Sequence, residues 1–465
     1  MAAHERRRQP VVDRAPEIPR ITDVVIVGGG IVGASLVYCL SAVHGIATVL
    51  FEREALACES SGLSAGTIWN VGKGDGSSLG ALLCDETVRL LRDVEYCGYD
   101  CAFRQSGALT IACDAEQLAL LRVSAASFFG FSLSLIEGND AVAALEPALR
   151  GGSVVGAIHT PLSGHVDPSA ATESFAAAAA ACGAVIVEGD AVVGIDRVPP
   201  PSGAGGAARS VELGGRRRWC VDKVDACTDE GARRSRFVVR TASGSVVAAR
   251  HVVVAAGAHA AKVARLVAAD LVVPVVPVRG QMWSTVETEP SALGKVIFTS
   301  ESKAAWSKWS SRDDAHGIPE HCTHDWMGRR KARHAYGRRT AEGQIIFGGA
   351  RIRCAPGAYE VSREVFESNY AHVCEFLPAV GAHEIAGSWT GLMPFSVDGR
   401  SIVGELRRVG LPGLWLAAGF GPHGVMEGPG AMSMLANAIA GRSGRNSARF
   451  EEIDACREGC VVRAK

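Results

Sequence analysis

At 465 residues the chain is long for a single core, so two lobes are expected. Its composition is that of a globular protein, 48% hydrophobic and 21% charged, and a formal net charge of −1 gives no electrostatic pull toward nucleic acid. Fourteen scattered cysteines without C-x-x-C pairs suit a reducing compartment better than a disulfide framework.

Residues 1–19 read as a flexible tail. They are arginine-rich but carry Glu5, Asp13 and Glu17, against the acid-poor pattern of a mitochondrial presequence. The expected location is cytoplasmic, with the mitochondrial matrix as the alternative. Residues 24–43 carry no charge, yet the triple glycine inside them marks strand, turn and helix rather than a membrane span. The strand DVVIV runs into Gly28, Gly30 and Gly33, spelling G-x-G-x-x-G, and a second apolar strand, ATVLFE, ends at Glu52. Gly28 permits a tight turn, Gly30 lets backbone approach a pyrophosphate, and Gly33 lets the helix pack closely on the strand. The helix start offers free N–H groups and a positive dipole end to the phosphates. Glu52, nineteen residues past Gly33, is placed to accept from a ribose hydroxyl and to repel a 2′-phosphate. Strand before, helix after and acid at this distance predict a dinucleotide site rather than a bare structural turn.

Downstream, CESSGLSAGTIW is a small, polar loop able to wrap a ligand lying along it. Helical spacing appears over residues 86–96, a glycine-started strand in FRQSGALTIAC, and helices over residues 115–130 and in DAVAALEPAL. SGHVDP precedes an alanine-rich helix from Ser169, and AVIVEGDAVVGIDR reads as a strand completing a second crossover onto the same sheet. PPPSGAGGAA is a linker or hairpin tip. A hairpin follows, then a strand ending at Ala255, Ala256 and Gly257, where backbone or cofactor must come close. PVVPVRGQMWSTV is β-rich, with Arg279 and Gln281 flanking Gly280. The polar insert at about residues 300–333 holds His316, His321, Cys322 and His324, whose spacing matches no zinc pattern, so no metal is expected. A hairpin closes around residues 340–343 and a helix covers 362–376. Near the end, Gly419, Gly421 and Gly424 spell G-x-G-x-x-G again. Pro422 interrupts that turn and no acid lies about twenty residues on, so it reads as a helix N-terminus aimed at another part of the same ligand.

Seven ordered segments carry a resemblance: DVVIVGGGIVG, SGHVDP, VVVAAGAHA, VPVRGQM, GRRTAEGQIIFGG, WTGLMPFSVDGRSIVG and LWLAAGFGPHGVMEGPG. Together, over residues 23–441, they resemble the D-amino-acid-oxidase superfamily of FAD-dependent oxidoreductases, the group with glycine oxidase, sarcosine oxidase and dimethylglycine dehydrogenase. The resemblance implies an α/β fold: a Rossmann-type FAD-binding domain from residues 20–87, 163–265 and 388–445, and a substrate domain on a mixed, largely antiparallel sheet from residues 88–162 and 266–387, with a C-terminal tail at 446–465. It implies that Gly28, Gly30, Gly33 and Glu52 hold the adenosine diphosphate and that Ser60, Ser61, Ser64, Ala65 and Gly66 line the flavin. Val192 would cover the adenine, Gly257 would sit near the pyrophosphate, and Gly421, His423, Gly424 and Val425 would offer N–H groups to the flavin's pyrimidine edge. Ile31, Val32, Arg53, Ala256 and Gly391 complete the implied cofactor contacts.

The implied chemistry is hydride transfer from a carbon next to an amine nitrogen to flavin N5. Two departures bear on the substrate. Glycine oxidase carries an arginine in W-x-G-L-R-P, where this chain has Met393, and sarcosine oxidase carries a lysine after its G-H-G turn, where this chain has Met426. Arg279, Arg351 and Arg353 are the candidate replacements for binding a substrate carboxylate, and Arg279, Tyr336, Arg351 and His423 form the expected catalytic set. Trp389, Tyr336 and Trp69 are candidates to wall the pocket. The segment at residues 389–398 lacks the attachment cysteine and the Ser60 loop lacks the tethering histidine, so FAD is expected to be non-covalent. The leading expectation is oxidation of a C–N bond in a small amine or amino acid, with oxygen or a carrier protein as electron acceptor. The alternatives are C–OH oxidation of the 2-hydroxyacid type and a flavoprotein that binds or assists assembly without turnover.

Overall fold

The computed structural model describes residues 17–69, 78–127, 132–198, 236–300, 334–354, 357–444, 446–457 and 460–463. The N-terminal residues, the linker after Pro199 and the insert with its three histidines and Cys322 lie outside that set.

The strand Ile21–Val27 forms because ITDVVIV is β-branched and apolar, and it lies between two parallel neighbours, Thr48–Phe51 and Val246–Val254. Val185–Val187 extends the sheet beyond Thr48–Phe51, Leu414–Ala418 extends it beyond Val246–Val254, and Ile402–Glu405 pairs antiparallel at that edge. The central strands read as continuous apolar runs because both of their faces are covered. On one face pack the helices Ile31–Tyr38, Pro168–Ala181, Leu79–Tyr96 and Gly424–Ile439. Pro168–Ala181 starts where Asp167 accepts from the N–H groups of Ser169 and Ala170, both at 2.9 Å, with Pro168 at the first position.

A second sheet runs in the order Ile385–Ser396, Val275–Glu287, Gln344–Arg353, Tyr336–Arg339, Val296–Thr299, Ala108–Ala112, Gly156–Thr160, Ser134–Glu137. All its pairs are antiparallel except Val296–Thr299 against Ala108–Ala112. The expected α/β architecture, a Rossmann-type sheet beside a mixed, largely antiparallel one, is therefore present. One face of the second sheet is sealed by the helix Arg363–Phe376, whose Phe376 forms a buried cluster with Trp283 and Phe347 of the sheet. Its other face meets the loop around residues 60–66.

Three local expectations change. AVIVEGDAVVGIDR is two strands, Val185–Val187 and Val192–Arg197, broken at Gly189 with φ +73°. The helix expected from residue 86 begins about two turns earlier, as Leu79–Tyr96, because Ser78 caps it. The expected C-terminal tail is instead docked: Val462–Arg463 pairs with Leu271–Val272, and Ile453, Ala455, Cys460 and Val461 are buried. Apolar residues spaced through a polar stretch suffice to pin a terminus. Among the described residues no helix is long and apolar enough to cross a membrane.

Candidate functional site

At the carboxyl end of Ile21–Val27 the first glycine turn is sterically forced. Gly28 has φ +120°, and a Cβ there would stand 2.5 Å from the carbonyl oxygen of Ala255; one at Gly33 would stand 1.9 Å from that of Gly28. Gly30 differs, since only Ser61 Oγ comes within reach of its Cβ position, at 3.1 Å, which leaves its backbone approachable. The Ile31 N–H donates to Ser61 Oγ at 2.9 Å, so the loop hydroxyl caps the helix and keeps its own hydrogen for another acceptor. Val32 follows in the same first turn. Glu52 is buried and accepts from the Gly29 N–H at 2.7 Å and the Glu54 N–H at 3.0 Å; a carboxylate has lone pairs beyond those two. Arg53 pairs with Glu59 and lies 3.3 Å from Glu54. Ala256 leads into the turn Gly257–His259, where nothing crowds Gly257, and Val192 is half-buried at the start of its strand. A cavity of about 410 Å³ opens here, lined by Arg53, Cys58, Glu59, Leu63, His259 and Tyr359. His259 Nε2 lies 3.7 Å from Glu59 and, with Tyr359 and Arg53, holds its carboxyl below the usual range. The forced turn, open Gly30 and Gly257 and a buried acid at a strand end fit an adenosine diphosphate group.

The loop after Glu52 is gripped by the second sheet. Ser60 Oγ donates to the Leu392 carbonyl, Trp389 Nε1 to Leu63 at 3.0 Å, and Arg338 Nε to Ala65. Ser64 Oγ donates back to Ser61 at 2.8 Å, and Gly66 holds φ +67° with a Cβ position 2.3 Å from Val166 O. Strand register sorts side chains by face: Met282 stands between Trp389 and Gly348, Gly280 between Gly391 and Arg351, and Met393 opposes Val278. Trp389, Met282 and Tyr336 pack with Ala65, and Gly391 abuts Leu63, so this is the loop-facing side. Arg351 lies on it, with Nη2 3.3 Å from Nε2 of His334. Burial, then Arg351 and His372, keep the His334 imidazole neutral; burial raises the Tyr336 phenol, with Arg351 pulling the other way.

Arg279 is set apart. Strand alternation turns it to the opposite face with Gln281, where it pairs with Glu360 at 3.0 Å while Gln281 accepts from the Ser362 N–H at 2.9 Å. The side chain of Arg353 is outside the described set. Met393 lies over Gly280, its Cε 3.1 Å from a Cβ position there, and Met426 is buried in the helical core rather than beside the loop. Trp69 stacks on Phe298 at 4.7 Å and is likewise a core residue.

At the second turn Gly419 and Gly421 have φ +73° and +53°, and His423 stands before the helix Gly424–Ile439 without a side-chain cap. Val425 packs against the core of the first sheet. Sequence reasoning missed Arg338, His334 and Met282. The signal was there for Arg338: if Tyr336 faces the loop, so does the residue two further along the strand.

A family model described as "DAO: FAD dependent oxidoreductase" matches residues 23–438. Mitochondrial sarcosine dehydrogenase of Mus musculus is 23% identical over 440 residues, which cover 94% of this chain and 42% of that protein. 4-Methylaminobutanoate oxidase (formaldehyde-forming) of Paenarthrobacter nicotinovorans is 28% identical over 38% of this chain and 23% of its own length. Both matches thus span less than half of the relative. Among solved structures, L-proline dehydrogenase from P. horikoshii superposes with TM-score 0.71 at 20% identity, covering 95% of this chain and 98% of that one. Glycine oxidase from Geobacillus kaustophilus gives 0.70 at 20% identity over 95% and 100%. These likenesses show a shared fold.

Proposed function

The chain belongs to the DAO family of FAD-dependent oxidoreductases, and from that membership we propose that it oxidises a C–N bond in a small amino acid, N-methylated, glycine-like or of D configuration. FAD, bound without a covalent link, supplies the acceptor for the hydride that leaves the carbon beside the amine nitrogen. Water then hydrolyses the resulting imine. The relatives named for sarcosine and 4-methylaminobutanoate, both N-methyl amino acids, support this substrate class.

The observation that carries the reading is Arg351. It is a cation on the loop-facing side of the second sheet, held against neutral His334 and close to Tyr336, on the face where Met393 offers no charge. A guanidinium there pairs a substrate carboxylate, which an apolar pocket would reject. Met282, Met393 and Trp389 wall the remaining face and exclude water. Tyr336 stays protonated at neutral pH and donates a hydrogen bond, and His423, at the opposite helix start, completes the set through its main chain. Oxygen or a carrier protein takes the electrons onward.

Anaerobic titration of the FAD-loaded protein tests this. N-methyl amino acids, glycine and D-amino acids are expected to bleach the visible flavin band. Bleaching by 2-hydroxyacids alone would replace C–N with C–OH oxidation. No bleaching by any of them, with FAD retained, would overturn the reading in favour of a binding role.

A further inference from the structure

The guanidinium of Arg338 is buried, 4% exposed, at a site that the oxidation chemistry above does not use. It leaves the strand Tyr336–Arg339 on the loop-facing side and donates through Nε to the carbonyl of Ala65, in a loop belonging to the other sheet's connections. A trans peptide points its C=O and the next N–H in opposite directions, and the described chain contains no cis peptide. Fixing the Ala65 carbonyl toward Arg338 therefore fixes the Gly66 N–H away from the second sheet, toward the first. Gly66 is buried, and among the described residues nothing accepts from its N–H. A buried amide without an acceptor is costly and points to a ligand atom. Trp389 Nε1 repeats the grip two residues earlier, on the carbonyl of Leu63.

We propose that Arg338 is a positioning residue for the cofactor: it holds the Ala65 carbonyl so that the Gly66 amide is presented to the flavin. The inference rests on FAD being the bound group, and it assigns no contact between Arg338 and either FAD or substrate. A cationic donor on the carbonyl also polarises the peptide and strengthens its N–H as a donor. That donor favours the reduced flavin, which carries more negative charge.

The test compares wild type, Arg338→Met and Arg338→Lys, each reconstituted with FAD, by FAD affinity, visible spectrum and midpoint potential. Arg338→Met is expected to weaken FAD about tenfold or more, the range for a lost hydrogen bond to a charged group, to shift the flavin spectrum and to lower the potential. Arg338→Lys keeps a charged donor and should recover part of each change. Circular dichroism identifies a variant that has not folded; if Arg338→Met is unfolded, Arg338→Lys decides by the same three readings. A folded variant that matches wild type in affinity, spectrum and potential overturns the role of Arg338 alone. Wild type that takes up no FAD would instead overturn the cofactor assignment.

Discussion

Gly28, Gly30 and Gly33 in the first turn and Gly419, Gly421 and Gly424 in the second share one spacing but not one construction. In the first, backbone oxygen stands 1.9 Å from a Cβ position at Gly33 and 2.5 Å from one at Gly28, so the helix is jammed against its own turn. In the second, the nearest atom to a Cβ at Gly424 is 3.9 Å away, an ordinary contact, and only Gly419 and Gly421 need positive φ. The first turn is a packing device that brings a helix start to a strand end. The second uses glycine for backbone direction. The comparison separates what a motif spells from what each glycine in it does.

The largest expected effect breaks that comparison if it is wrong. Gly33→Ala puts a methyl against backbone that no rotamer change can move, which should cost the FAD-free protein about 3 kcal/mol or more and abolish FAD uptake. Gly424→Ala, in helical φ/ψ with room around it, should change FAD-free stability by less than about 1 kcal/mol. Denaturant melts of both variants without FAD decide; equal losses would mean the turns are mechanically alike.

The second sheet offers the same kind of contrast between its two faces. Arg351→Met removes the cation proposed to pair a substrate carboxylate and should raise the substrate concentration for half-bleaching about 30-fold or more. Arg279→Met breaks only a pair with Glu360, which is 85% exposed, and should move that midpoint by about twofold at most. Reversed outcomes would put the anion site on the helix-covered face.

A third measurement concerns protons. Burial, followed by the Arg338 and Arg104 charges, lowers His165 to about 3, and burial, followed by Arg250, lowers His251 to about 4. Unfolded, both titrate near ~6.5. Below that value the unfolded chain binds protons that the folded chain refuses, so stability should fall with pH from ~6.5 toward each folded value and owe nothing to these groups above it. The slope is at most about 1.4 kcal/mol per pH unit for each histidine, and His251→Phe should remove its share.

The strand–turn–helix at residues 23–52 was legible because each residue's task is local: turn, approach, packing and acid spacing are all set within one βαβ unit. The antiparallel strands were visible too, but not which side chains met the loop. That depends on register, and the partner sequence Gln281 to Ala350 followed by Met282 to Gly348 skips Gly349, a bulge that no alternation count reveals. Arg279 and Arg351 looked equivalent in sequence for this reason. The docked C-terminus was hidden because its buried residues are spaced through a polar stretch, and the strand they meet, Leu271–Val272, is two residues long.

The smallest expected effect sharpens the comparison of the turns. Ser61 reaches across thirty residues of chain to accept the Ile31 N–H, whereas His423 gives the second helix no side-chain cap. Ser61→Ala should therefore cost about 1 kcal/mol of FAD-free stability, the usual worth of a hydroxyl cap. His423→Ala removes no such cap and should cost less. If FAD uptake suffers in Ser61→Ala beyond that stability loss, the hydroxyl's own hydrogen also serves the cofactor, since the oxygen accepts from Ile31 and can still donate. Isothermal titration of FAD into the folded variant separates the two contributions, because a cap lost from an already folded helix leaves the binding enthalpy unchanged.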